Sequence, residues 1–226
     1  MKKLIKLSFF FSFLMLFVAC GDDDLEPTLA LDKDLSTGIN NAGDLQSVLN
    51  SAYDRMSATG YYGRNQIVMG DVRTDNAYST LNSNRFSDSD MEYSPTGSGP
   101  WTTIYGVIAI CNIVIGVDPA SLEGDQGLIN HTIGQAHAIR ALAHFDLLRD
   151  YGQHFVSGQG GSSSLGVPYV KTYRDPANLS PSRDTVQSNV DNIVADFNQG
   201  ISMMNSTSDN AQYMNCLLYT SDAADE

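Results

Sequence analysis

Cysteine is nearly absent: there are three in 226 residues. That excludes a small scaffold stapled by disulfides. Positive charge is scarce as well. Thirteen Lys and Arg stand against 26 Asp and Glu, a formal net charge of -13. A phosphate backbone needs a basic footprint, so nucleic acid is excluded as a partner. Long apolar runs are missing except for one, Leu7 to Val18. At about 12 residues it falls short of the roughly 20 that cross a bilayer.

The signatures of catalysis and metal binding are also lacking. No His-Glu-x-x-His occurs among His131, His137, His144 and His154. His137 and His144 would sit two helical turns apart, a rise of about 10.5 Å, too far to share one ion. Asp88, Asp90 and Glu92 alternate like the start of a calcium loop. Tyr93 and Gly99, however, take the places of the turn glycine and the bidentate glutamate. Gly158, Gly160 and Gly161 lack the Gly-Lys-Ser/Thr ending of a phosphate loop. No nucleophile stands near a base at a readable spacing. The sequence therefore points to no catalytic residue, no metal and no cofactor. Hydrophobic residues make up 42%, enough for a folded core rather than a disordered chain.

What is there begins with an export signal. Lys2, Lys3 and Lys6 precede the apolar run, and Ala19 and Cys20 follow it. A small residue before a lone cysteine suggests a lipoprotein signal over residues 1–19, with Cys20 acylated and held in lipid. Asp22, Asp23 and Asp24 repel one another and stay hydrated, so residues 20–38 read as an acidic tether and linker.

From residue 39 the pattern is helical. Asn41 caps a helix over 43–57, with Asp44 in its first turn. Leu45, Val48, Leu49, Ala52, Tyr53 and Met56 recur at three- and four-residue spacing, and Gly60 ends the helix. Residues 61–100 break the period and read as a long loop carrying Tyr61, Tyr62 and Tyr78. Pro100 opens a second helix on which Trp101, Ile104, Tyr105, Ile108, Cys111, Asn112 and Ile115 share a face. A third runs over about 127–151, with Arg140 inside its stripe and Gly152 as its stop. An unpaired charge there would be costly, so Arg140 is expected to meet a carboxylate or helix-end carbonyls. Arg149 and Asp150 read as nearer the exposed side. Gly166 to Val170 reads as an extended strap. Ser182 is the expected cap of a fourth helix, with Asp184 in its first turn. Val186, Val190, Ile193, Val194, Phe197 and Ile201 are its expected buried face. Such stripes must bury against each other, which predicts an all-α fold of antiparallel helix pairs with tetratricopeptide-like packing and long irregular loops.

Residues 101–112, Trp-Thr-Thr-Ile-Tyr-Gly-Val-Ile-Ala-Ile-Cys-Asn, resemble a helix of the SusD/RagB nutrient-binding lipoproteins. Residues 135–152 resemble the most specific stretch of that family: small residues, Arg-Ala, an aromatic, Asp-Leu, then Tyr-Gly. Gln135 stands where an acid is usual. Gly166, Val167 and Pro168, and then Arg183 to Phe197, are similar to the family elements that follow. The resemblance implies the N-terminal part of a SusD-like fold over residues 39–205, with Arg140, Asp146, Tyr151 and Gly152 in structural roles. Asp22, Asp23 and Asp24 resemble a sorting signal to the outer face of the outer membrane. The implied function is capture of a glycan or peptide, without catalysis, at the cell exterior. The implied partners are a SusC-like TonB-dependent transporter and, through acylated Cys20, the outer-membrane lipid. Tyr61, Tyr62, Tyr78 and Trp101 are the candidate ligand contacts, with helix-end packing as the alternative for the tyrosines and core packing for Trp101. A helical scaffold acting through protein contacts alone is the competing function, followed by a surface hydrolase. Residues 216–226 look like a translated sequencing adapter, so native sequence is expected to stop near Asn215 and Cys216 is given no role.

Overall fold

The structure is a computed structural model, and it describes residues 38–80, 82, 85–90, 100–153, 158 and 160–204. Cys20, Asp22, Asp23, Asp24 and the tail 216–226 lie outside the described residues. Contacts divide the chain into Met1–Gly38 and Ile39–Glu226, and every element below belongs to the second unit. Its helices are α1 (Ala42–Ser57), α2 (Asn65–Val72), α3 (Trp101–Ile115), α4 (Gln126–Tyr151) and α5 (Val186–Met203). Short 3-10 turns cover Ser87–Ser89 and Pro119–Ser121. Among the described residues, β pairing is confined to two isolated bridges, Asn41 with Glu123 and Leu165 with Thr185. The fold is all-α, built of stacked antiparallel helix pairs with irregular loops.

α1 starts where its cap predicts. Asp44 N–H donates to Asn41 Oδ1 at 2.9 Å, and Asn40 N–H donates to Asp44 Oδ2 at 3.2 Å. Leu45, Leu49, Ala52 and Met56 then enter one core with Ile104, Ile108 and Cys111 of α3. Each fully buried aliphatic side chain contributes roughly 1.5–3 kcal/mol before entropy is counted. α4 is the centre, packed against α1, α3 and α5. Because neighbours surround it, its buried residues run right round the helix from Ile129 to Leu148. Ala136, Ala138, Ala141 and Ala143 are small enough to let those neighbours approach. Asp125 caps α4, its Oδ1 accepting from Gly127 N–H at 2.7 Å. Among the described residues no helix is long and apolar enough to cross a membrane.

Four expectations are corrected. Residues 61–100 are not one loop, since α2 lies within them. α2 has no side-chain cap at Arg64 and carries Gly70 inside its eight residues, so neither cap nor period announced it. Ser182 is not the cap of α5; Thr185 is, with its Oγ1 accepting from Ser188 N–H at 3.1 Å. Asp184 stays outside the helix and accepts from Tyr169 N–H at 2.8 Å. Only part of the expected α5 face is buried: Ile193 is in the core and Val186 and Phe197 pack against it. Val190 and Val194 are 41% and 51% exposed, while Asn189, Ile193, Asp196 and Gly200 point inward. Finally, Asp150 is buried, although Arg149 beside it is nearly half exposed.

The α4–α5 crossing is close. A Cβ at Gly200 would lie 2.7 Å from Gly134 O, and one at Gly134 would lie 2.9 Å from Gly200 O. The two backbones touch, and only glycine fits on either side. Gly200→Val should therefore cost about 1–3 kcal/mol by overpacking. The expected readout is a lower urea midpoint with an unchanged slope; an unchanged midpoint would mean the helices do not meet there.

Candidate functional site

The site is organised by a strap, Gly166 to Lys171, that has extended backbone but no strand beside it. Its polar backbone must find partners: Gly166 N–H donates to Asp184 O at 2.7 Å, and side chains, mostly of the helices, supply the others. Asn189 is paired with Val167 in both directions: its Oδ1 accepts from Val167 N–H at 2.7 Å and its Nδ2 donates to Val167 O at 2.9 Å. Tyr105 Oη donates to Pro168 O at 2.8 Å, and Asn112 Nδ2 donates to Val170 O at 3.1 Å. Val170 N–H donates to His144 Nε2 at 3.1 Å. His144 Nδ1 lies 2.9 Å from Arg140 O. A carbonyl only accepts, so the proton sits on Nδ1 and the ring is neutral.

Beneath the strap, Arg140 of α4 makes a two-point pair with Asp196 of α5. Nε and Nη2 reach Oδ2 and Oδ1, both at 2.7 Å. Its Nη1 donates to Asn112 Oδ1 at 2.7 Å and to Lys171 O at 3.2 Å. Tyr169 Oη donates to Asp196 Oδ2 at 2.7 Å, and His137 Nδ1 lies 3.1 Å from Oδ1. Burial alone would lift the Asp196 carboxyl. The hydrogen bonds from His137 and Arg140, the guanidinium charge, and the bond from Tyr169 hold it well below the usual carboxylate range.

The strap forms one wall of a cleft of about 670 Å³, within the size range of ligand pockets. Trp101 and Tyr105 of α3 line it together with Lys171, Arg174 and Leu179. The Trp101 ring lies 4.9 Å from both Tyr105 and Tyr151. Tyr105 meets His144 edge-on at 6.4 Å, and His144 stacks on Tyr169 at 3.8 Å. The result is a continuous file of rings from Tyr151 to Tyr169. Arg174 at the rim has φ 49°, a left-handed conformation that costs a non-glycine residue energy and tends to mark functional loops.

The sequence candidates fall in different places. Trp101 is 37% exposed at the cleft mouth, so it is not wholly a core residue. Tyr61 is fully buried and out of reach of any ligand: its Oη and that of Tyr62 both donate to Asp146 Oδ2 at 2.6 Å. Burial raises the Asp146 carboxyl despite those bonds and the Arg149 charge. Tyr62 is half-buried and borders a second, smaller pocket. Tyr78 is 77% exposed and borders neither. Tyr151 closes the aromatic file, receiving a bond from Trp101 N–H at 3.2 Å. Gly152 ends α4, its N–H donating to Leu148 O at 2.8 Å. Cys111 is buried and its thiol is pushed up to about 12 by burial, which leaves it chemically inert. No group of three His, Cys, Asp or Glu side chains among the described residues could hold a metal ion.

Asp196, Asn189 and Tyr169 were not singled out by the sequence as site residues. The signal was indirect: Arg140 in an apolar stripe demands a carboxylate, and Asn189, Ile193, Asp196 and Gly200 repeat at helical spacing.

The site has a pH signature. Burial pulls His144 from 6.5 to about 3. The unfolded chain therefore takes up a proton between those values that the folded chain refuses, and stability falls as pH falls through that window. The slope is up to ~1.4 kcal/mol per pH unit. Asp196 acts with the same sign lower down: its depressed folded carboxyl contributes fully above the unfolded value of about 3.9 and fades below it. Urea midpoints should thus drop steadily from about pH 6.5 downward, and His144→Gln should flatten the upper part. A midpoint independent of pH would contradict a neutral buried His144.

A family described as starch-binding and associating with the outer membrane matches residues 25–224. No curated protein is significantly similar to the chain. Among solved structures, a Bacteroides vulgatus protein described as sugar-binding is 27% identical with a TM-score of 0.65, over 76% of this chain and 39% of that one. A SusD superfamily protein of Bacteroides thetaiotaomicron is 28% identical with a TM-score of 0.63, over 74% and 38%. A laminarin-binding SusD-like protein, at 17% identity and a TM-score of 0.57, shares the fold over 78% and 38%. The chain thus spans well under half the length of these relatives. With a match over most of its residues and this helical architecture, the chain belongs to the SusD-like family.

Proposed function

We propose that the protein is a lipid-anchored receptor of the outer membrane that captures an oligosaccharide at the cell exterior and delivers it to a SusC-like TonB-dependent transporter, without altering it chemically. Cys20 is the acylated residue in this reading, and Asp22, Asp23 and Asp24 direct the protein outward. The observation that carries it is the aromatic file opening at Trp101 into the cleft. Sugar rings present apolar C–H faces that suit flat aromatic surfaces, and their hydroxyls suit the cations Lys171 and Arg174 that line the cleft. The family description favours glycan over peptide, as do the names of two structural relatives.

Isothermal titration calorimetry with maltooligosaccharides and laminarin oligosaccharides tests this. Trp101→Ala should weaken the bound glycan about tenfold, ~1.4 kcal/mol. Equal affinity in the variant, or no binding of any glycan by the native chain, would contradict the reading. Mass spectrometry should find acyl chains on Cys20, and Cys20→Ala should release the protein from membranes.

A further inference from the structure

The charges lining the Trp101 cleft run against those of the chain. Acidic residues outnumber basic ones two to one overall, 26 against 13. Among the described residues that line the cleft the ratio is reversed: Lys171 and Arg174 stand with a single carboxylate, Asp175. That carboxylate is turned to its own backbone, its Oδ1 accepting from Ala177 N–H at 2.9 Å. Neither cation has a carboxylate within ion-pair distance among the described residues. Each lies over an aromatic face instead, Lys171 Nζ 5.7 Å from the Tyr169 ring centre and Arg174 Cζ 5.2 Å from that of Tyr173. Arg73, Arg140 and Arg149, by contrast, are each held by a carboxylate. Two cations left unpaired in a cleft of so acidic a chain are complementary to an incoming anion.

The hydrogen-bonding capacity of the wall agrees. The strap N–H groups of Val167, Tyr169 and Val170 are committed to Asn189, Asp184 and His144. Its carbonyls at Pro168, Val170 and Lys171 already accept from Tyr105, Asn112 and Arg140. Side chains are therefore what a ligand meets, and the unpaired charged ones are donors. Neither an ammonium nor a guanidinium has an acceptor. A sugar hydroxyl is a weak partner for them. A carboxylate accepts charge-assisted bonds about twice as strong as neutral ones, and the guanidinium offers it a two-point fork. The net negative charge of the chain does not forbid this, because charges beyond about 8 Å are largely screened at physiological salt. We infer that the glycan this cleft takes is acidic, a uronate-bearing oligosaccharide: a sugar face lies on Trp101 while carboxylates of the chain are held by Lys171 and Arg174. This rests on the reading of the cleft as the glycan site and names the class of glycan.

Calorimetry with matched pairs tests it: oligogalacturonate, oligoglucuronate and oligomannuronate, each beside its methyl ester, which keeps the backbone and removes the charge. At least one acid should bind about tenfold more tightly than its ester, and added salt should narrow that gap. The double variant Lys171→Gln, Arg174→Gln should bring acid and ester to one affinity. Both side chains are exposed, so its melting temperature should match that of the native chain. Arg55→Gln removes a charge that is exposed and outside the cleft, and the preference should survive it. The proposal is overturned if every acid binds no more tightly than its ester, if the preference persists in the double variant, or if Arg55→Gln removes it as well. Neutral oligosaccharides bound in a Trp101-dependent way, with no preference for any acid, would sink this inference and leave the glycan site standing. No binding of any glycan, acidic or neutral, would fail the reading of the cleft and this inference with it.

Discussion

The ion pair between Arg140 and Asp196 is the interaction on which the rest depends. It joins α4 to α5 through two 2.7 Å bonds in a place closed to water. Two charges so placed gain little over a well-packed apolar pair, but removing one partner strands the other at a cost of about 3–5 kcal/mol. What the pair adds is direction. Once Arg140 is fixed, its remaining nitrogen fixes Asn112 and Lys171 O, and Asp196 fixes Tyr169. Three helices and one irregular segment are thereby brought to a single geometry.

That geometry solves a problem the fold creates for itself. A helical array has no sheet edge on which to lay an extended segment. The strap obtains its hydrogen bonds from Asn189, Asp184, His144, Asn112, Tyr105 and Arg140 instead. All but Asp184, which lies just before α5, are polar residues on helix faces turned inward, and α5 accordingly presents Asn189 and Asp196 to the interior and leaves Val190 and Val194 outside. The glycine contact between Gly134 and Gly200 brings α5 close enough for the bonds to form. The cleft and its aromatic file follow from the strap, since Tyr169 belongs to both.

Much of this was legible in the residues. The stripe of α1, the Asn41 cap, the small face of α4 and the stop at Gly152 are local patterns, and local patterns write themselves at fixed spacing. Arg140 announced that a carboxylate must exist, though not which. What stayed hidden depends on distant partners. α2 is too short and too glycine-interrupted to show a period. The face of α5 was read from its apolar residues alone, whereas polar bonds to the strap upstream draw Asn189 and Asp196 inward and leave Val190 and Val194 out. Tyr61 and Tyr62 look equivalent in sequence, yet one is enclosed around Asp146 and the other reaches a pocket. Nothing local distinguishes them.

Amide hydrogen exchange on the strap is the most direct test of the central claim. With the Arg140–Asp196 pair intact, the amides of Val167, Tyr169 and Val170 should exchange as slowly as those in α4. In Asp196→Asn, Tyr169 and Val170 should lose that protection while α1 and α3 keep theirs. Strap amides that exchange at loop rates in the native chain, or that stay protected in the variant, would contradict the account.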